Sequence, residues 1–178
     1  NSPLNPISLY GKTKVKSEKV IMEFKNSIGF RLATVFGNSY RMRSDLMVNN
    51  FVLNSLKKRQ LIIYEPNFRR NFIHINDVVD AIIYSIKNFS KLKSNIYNLG
   101  LSSANLTKYM LAKKIKKKLK YLKIKIVKNK KDPDQRDYYV SNKKIEKRGF
   151  KAKIKIESGI DELINVFNNT KENIINNY

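Results

Sequence analysis

The strongest constraint on the fold is a repeated change of period along the chain. Short, β-rich apolar runs at residues 30–36, 61–64, 72–75 and 95–99 alternate with longer stretches whose apolar residues recur at helical spacing. Residues 9–27 read as a helix with Val20, Ile21, Phe24 and Ile28 inward, ended by Gly29, and Gly37 closes the strand that follows. Asp45 is the expected N-cap of a helix to about residue 57, and Asn76 that of a helix to residue 86. Thr107, or Asn105 before it, starts a lysine-rich helix, and residues 122–127 alternate Ile124 and Ile126 with Lys123 and Lys125, the pattern of a half-exposed strand. Residues 132–136 read as a loop. Ser141 is the expected cap of a short helix stopped by Gly149, and Ile160, Leu163, Ile164, Phe167 and Ile174 mark a last amphipathic helix. Strands alternating with helices argue an α/β fold.

Tyr10 and Lys14 stand four residues apart near the start of the first helix. One helical turn separates them, so both side chains share a face. An ammonium beside a phenol stabilises the phenolate, which is the form that accepts a proton in general base catalysis. A lysine-rich helix also produces this spacing on a merely solvated face.

Four segments together narrow the choice. Tyr10-Gly11-Lys12-Thr13-Lys14 resembles the Tyr-x-x-x-Lys segment of the extended short-chain dehydrogenase/reductases, the NAD(P)-dependent sugar-nucleotide epimerases and dehydratases. Arg31-Leu32-Ala33-Thr34-Val35-Phe36-Gly37 is similar to that family's R-x-x-N-V-Y-G strand. Arg70 to Val79 is similar to its R-D-F-I-H-V-x-D-V-A segment, and Ile96-Tyr97-Asn98-Leu99-Gly100 to its Y-N-L/I-G segment. The four occur in family order across residues 3–100. Residues 132–150 resemble the family's arginine-containing C-terminal segment less closely.

The resemblance implies the C-terminal portion of an NAD(P)-binding Rossmann-fold domain plus a small mixed α/β substrate-binding domain. Residues 1–37 would carry the end of the Rossmann domain with the Tyr-x-x-x-Lys helix. Residues 38–178 would be mostly the substrate lobe, with segments near 72–100 returning to the Rossmann sheet. The chain starts at Asn1 and contains no G-x-x-G-x-x-G turn for a cofactor pyrophosphate. It therefore reads as the C-terminal part of a longer enzyme and is expected to be inactive alone.

The resemblance also assigns roles. Tyr10 would act as general base and acid toward a sugar hydroxyl, with Lys14 holding the nicotinamide ribose of NAD or NADP, so that both are catalytic and cofactor-binding. Thr34, where many relatives carry Asn, would contact the substrate, and its hydroxyl can still donate one hydrogen bond. Arg70 would grip the nucleotide diphosphate, for which a guanidinium fork is suited; Asn71 replaces the usual Asp beside it. Asn98 and Arg136 would reach the nucleotide or sugar phosphates, and Arg41 or Arg43 would border the substrate cleft. His74, the single histidine, has no second metal ligand at suitable spacing and reads as structural, as does Asp77 at the head of its helix. The expected substrate is a nucleotide-diphosphate sugar, the expected assembly a homodimer, and no metal, nucleic-acid or membrane partner is expected.

The charge needs its own account. Lys and Arg number 37 against 14 Asp and Glu, a formal charge of +23. Such a balance fits nucleic-acid binding, an anion-attracting field for a phosphate-bearing substrate, or lysine-rich coding at tolerant surface positions. Within the densest run, Leu111, Ile115 and Leu119 keep a spacing of four, which puts the lysines on the solvent side of a helix. Alternatives to the nucleotide-sugar enzyme are a short-chain carbonyl reductase of a non-nucleotide substrate and a basic nucleic-acid-binding module. No apolar stretch of 18 residues is present. The absence of cysteine excludes disulfides and thiolate catalysis and fits the reducing cytoplasm, the expected location.

Overall fold

A computed structural model of the chain describes residues 4–127 and 137–169. Helix α1 (Leu9–Met22) leads to strands β1 (Ile28–Leu32) and β2 (Thr34–Phe36), then α2 (Met47–Lys58), β3 (Gln60–Tyr64), β4 (Arg69–His74), α3 (Ile75–Lys87), the short α4 (Phe89–Leu92) and β5 (Asn95–Leu99). A single 3-10 turn precedes β6 (Asn105–Thr107), α5 (Lys108–Lys118), β7 (Lys123–Val127), α6 (Lys143–Glu146) and α7 (Ile156–Asn169). The α/β reading of the sequence holds.

Parallel pairing dominates. β1 pairs with β5, with Ile28 opposite Asn95 and Leu32 opposite Leu99. β2 pairs with β4, Thr34 opposite Phe72, and β3 with β7, Leu61 opposite Ile124. β6 is antiparallel to β4. The apolar run at 30–36 is thus two strands that hand over from β5 to β4. At the break, the Ala33 N–H donates to the Leu99 carbonyl at 2.8 Å, and the Leu101 N–H continues onto the Phe72 carbonyl. The core lies between these strands and helices α2, α5 and α7, where Val48, Val52, Ile63, Phe72, Leu99, Leu111, Ile115 and Leu163 are buried. Buried parallel strands explain why β4 reads as Phe72-Ile73 without a polar interruption.

Several local expectations are corrected. α1 ends at Met22, not 27, and Gly29 lies inside β1. There its missing Cβ matters, since one would come within 3.2 Å of Ile96 Cγ1 on the paired strand. Val20, Ile21 and Phe24 are exposed, and no residue of α1 is buried; the helix packs chiefly against β1. Asp45 does not cap α2: its carboxylate accepts both prongs of the Arg43 guanidinium at 2.8 and 2.7 Å, and Leu46 holds the cap position. Asn76 is not the cap of α3 either. That place belongs to His74, whose Nδ1 accepts from the Asn76 N–H at 3.3 Å. Asn142, not Ser141, precedes α6. Thr107 caps α5 as read, its Oγ1 accepting from the Met110 N–H at 3.1 Å, and Gly149 stops the α6 segment with φ of 103°. The loop at 132–136 and Ile174 lie outside the described residues.

Candidate active site

α1 begins where Ser8 Oγ accepts the Gly11 N–H at 3.1 Å, an N-cap that fixes the helix start two residues before Tyr10. The i, i+4 spacing then places Lys14 directly over the tyrosine ring, its Nζ 5.3 Å from the ring centre. Both side chains line a cleft of about 510 Å³ between α1 and β1. Val15, Ile21, Met22, Ile28 and Phe30 give this cleft apolar walls, and Glu18 and Arg31 close it with charge.

Glu18 and Arg31 were not singled out from the sequence. Arg31 on β1 donates through Nε and through a terminal nitrogen to the two carboxylate oxygens of Glu18, both at 2.7 Å. The guanidinium's hydrogen bond holds the Glu18 carboxyl below its ordinary value, against a smaller opposing effect of burial. The signal was available: Tyr10, Lys14 and Glu18 follow one another at intervals of four, one face of one helix.

The proposed substrate-binding residues lie elsewhere. Thr34, Arg70 and Asn98 do not line the α1 cleft. Thr34 is half-buried in β2 opposite Phe72. Asn98 donates from Nδ2 to the Ser141 carbonyl at 3.2 Å, fastening the segment before α6 to β5. Arg70 is buried on β4, where it donates to the Arg69 carbonyl at 2.8 Å and lies under the Tyr138 ring, 5.3 Å from its centre. Next to it, the Asp137 carboxylate takes the Arg69 N–H at 2.8 Å and the Arg69 guanidinium at 3.1 and 3.2 Å. Those bonds hold the Asp137 carboxyl below its usual range. Arg136 lies outside the described residues; its sequence neighbours Asp137 and Tyr138 are the two that meet Arg69 and Arg70. Arg43 is paired with Asp45, and Arg41 is exposed in the same loop.

The lysines in and just after α5 serve different ends; Lys108 at its start is buried and donates to the Tyr64 carbonyl at 3.1 Å. Lys114 and Lys118 reach across to Glu157 and Asp161 on α7 at 2.5 and 2.6 Å. Lys113, Lys116, Lys117 and Lys120 border a shallow depression of about 500 Å³ on the outer side. Leu111, Ile115 and Leu119 are buried beneath, as the spacing of four requires. No described helix is long and apolar enough to cross a membrane.

Two chemistries meet in the α1 cleft: a phenol that can exchange a proton and an ammonium beside it. Residues 1–100 match the NAD dependent epimerase/dehydratase family, and the chain belongs to that family. An uncharacterised protein of Methanocaldococcus jannaschii is 32% identical over 181 residues, covering 94% of this chain and 52% of its own. Among solved structures, the NAD-dependent NDP-hexosamine 5,6-dehydratase TunA superposes with a TM-score of 0.81 at 22% identity, over 97% of this chain and 58% of that one. UDP-glucose 4-epimerase of Thermotoga maritima, solved with UDP-glucose, superposes at 0.79 with 23% identity, over 92% and 54%. These two likenesses establish the fold. The chain spans about half the length of the curated relatives it matches.

Proposed function

We propose that this chain forms the C-terminal part of an NAD(P)-dependent nucleotide-sugar epimerase/dehydratase, with Tyr10 as general base. The observation that carries the reading is the juxtaposition of Tyr10 and Lys14 on one face of α1, open to a cleft against β1, in a chain of this family. The relatives' greater length and the exposed apolar side chains of α1 support a longer enzyme whose remaining portion holds most of the dinucleotide. On this reading residues 1–37 finish the cofactor domain, and residues 38–178 are mostly substrate lobe, with segments near 72–100 returning to the first sheet.

The donor set fits the nicotinamide end of NAD or NADP. Lys14 is a cation suited to ribose hydroxyls, its Nζ lies 5.3 Å from the centre of the exposed Tyr10 ring, and apolar side chains of α1 and β1 line the cleft beside them. The bound dinucleotide supplies a hydride acceptor. Tyr10 takes the proton from the sugar hydroxyl as that carbon is oxidised, which avoids building up a full charge on the alkoxide. Lys14 keeps positive charge beside the phenol and orients the ribose. Thr34, Arg70, Asn98 and Arg136 serve the nucleotide and phosphates, with Arg70 as the guanidinium for the diphosphate. Re-reduction of the resulting ketone would make the enzyme an epimerase and β-elimination a dehydratase, and the family resemblance leans toward the former. A homodimer in the cytoplasm completes the reading.

The test uses the full-length protein with its upstream sequence. It is incubated with UDP-, dTDP-, GDP- and CDP-sugars while product and bound-nicotinamide absorbance are followed. Turnover of one nucleotide sugar, reduced at least about 100-fold in Tyr10→Phe, is the expected result. Absence of turnover and of bound nicotinamide would refute the reading.

A further inference from the structure

We infer that the Glu18–Arg31 pair is the positioning device of the candidate catalytic helix, setting the place of Tyr10 and Lys14 relative to the sheet. The inference rests on the catalytic reading of Tyr10 and Lys14 given above and adds two residues to it.

α1 is held weakly by apolar burial, since none of its residues is buried. Its Ser8, Thr13 and Ser17 hydroxyls bond within the helix or its cap. Among the described residues, the side-chain hydrogen bonds that tie the helix to the sheet are the two from Arg31 to Glu18. A smooth apolar contact permits a helix to roll or slide. A two-pronged guanidinium–carboxylate contact does not, because both oxygens must meet the planar fork at once. Glu18 lies one turn beyond Lys14 and two beyond Tyr10 on the same face, so fixing its azimuth fixes theirs. Arg31 is itself fixed by the β1–β5 ladder, where it lies opposite Asn98. The frame of the sheet is thereby transmitted to the phenol about 12 Å along the helix. A misplacement of about 1 Å at a reacting group can cost on the order of 100-fold in rate.

Glu18 and Arg31 are positioning residues, and their loss should reduce kcat while leaving the grip on the nucleotide sugar intact. In the full-length enzyme, Glu18→Ala is expected to lower kcat about 10- to 100-fold with KM for the nucleotide sugar within about twofold of wild type. Arg31→Lys keeps the charge but loses the fork, and is expected to show the same split at about one third of the loss or more. The deciding measurement is the double variant Tyr10→Phe/Glu18→Ala. Because Glu18 places Lys14 as well as Tyr10, the double variant is expected to lose clearly less than the product of the two single losses. Multiplicative losses in that double variant, or a kcat within twofold of wild type in both Glu18→Ala and Arg31→Lys, would overturn the positioning role while leaving the catalytic reading standing. Wild-type turnover retained by Tyr10→Phe would remove the catalytic reading, and this inference with it.

Discussion

The Asn71 side chain lies flat against Gly100, so that a Cβ built on the glycine would fall 1.7 Å from Asn71 Oδ1. Asn71 cannot yield easily. It is fully buried on β4, and its Nδ2 donates to the Leu101 carbonyl at 2.9 Å. The contact links β4 to the end of β5, across the crossover where β1 gives way to β2. Asn at this position supplies the donor that an ionised Asp would lack. Gly100→Ala should therefore cost about 1–3 kcal/mol or more through overpacking, read as a lowered denaturation midpoint. An unchanged midpoint would show that Asn71 can rotate away without penalty.

Asp77 joins two distant parts of the chain. Its carboxylate oxygens accept the N–H groups of Lys153 at 2.9 Å and Ile154 at 3.0 Å, and the residue is buried in the first turn of α3. Asp77→Ala would leave two backbone donors without their acceptor, at roughly 1–3 kcal/mol for each one that water cannot reach. Asp77→Asn retains one acceptor oxygen and should lose less than the alanine variant. Chemical denaturation of the two variants ranks them; equal losses would mean that the bonds to residues 153–154 contribute little.

Much of the framework was legible because it rests on local rules. The apolar runs read at 61–64, 72–75 and 95–99 mark strands β3, β4 and β5, although β4 begins earlier, at Arg69, and gives Ile75 to α3; Thr107 and Gly149 marked a helix start and a helix stop by chemistry that is internal to a few residues. The misreadings share a different origin. Asp45 looks like a cap, but a guanidinium two residues away outcompetes the helix for its carboxylate. Asn76 looks like a cap, but the helix starts one residue earlier, at Ile75, and the His74 ring caps it by accepting the Asn76 N–H. Val20, Ile21 and Phe24 look like a core face, and periodicity cannot say whether anything covers it. At the candidate site, Tyr10 and Lys14 were legible as a spacing within one helix. Arg31 was not, because a pairing over 13 residues depends on how α1 lies on β1. Likewise, the stacking of Tyr138 on Arg70 joins residues 68 positions apart and has no local trace in the sequence.

His74 has the surroundings of a structural residue. It is fully buried, its Nδ1 accepts from Asn76 at the head of α3, and its Nε2 faces the Glu162 carboxylate on α7 at 2.9 Å. With Nδ1 accepting, the proton of the neutral ring belongs on Nε2, which lies near the Glu162 carboxylate without being aligned for a hydrogen bond to it. Phe36 packs edge-on at 5.2 Å between ring centres, and Gly37 and Gly159 come so close that a Cβ on either would crowd the imidazole. His74→Ala would open a cavity and remove the cap at once, for about 2–4 kcal/mol. His74→Asn preserves an acceptor for the Asn76 N–H and should recover about 1 kcal/mol of that loss. Thermal denaturation compares the two. If Asn is no better than Ala, the cap is not what the histidine contributes.

The Glu18–Arg31 pair also predicts a pH dependence of stability with a definite sign. Its side chains are 18% and 32% exposed, shielded enough to limit screening yet wet enough to avoid a large desolvation cost. The Arg31 hydrogen bond lowers the Glu18 carboxyl below its ordinary value of 4.5, so the folded state binds this proton less readily than the unfolded chain. The pair's contribution is therefore fully present above pH 4.5 and is lost as pH falls through the lower folded value. Glu18→Gln keeps the shape and removes the charge. At pH 7 it should be less stable than wild type by about 1 kcal/mol, and the gap should narrow below pH 4.5 as the wild-type carboxyl takes up its proton. Arg31 stays charged throughout that range, and its own pKa is raised by the same hydrogen bond, so the narrowing belongs to Glu18 alone. Urea midpoints for the two proteins from pH 7 to pH 3 give the comparison directly. A gap that stays constant across that range would mean that packing at Glu18, rather than its charge, holds α1 to the sheet.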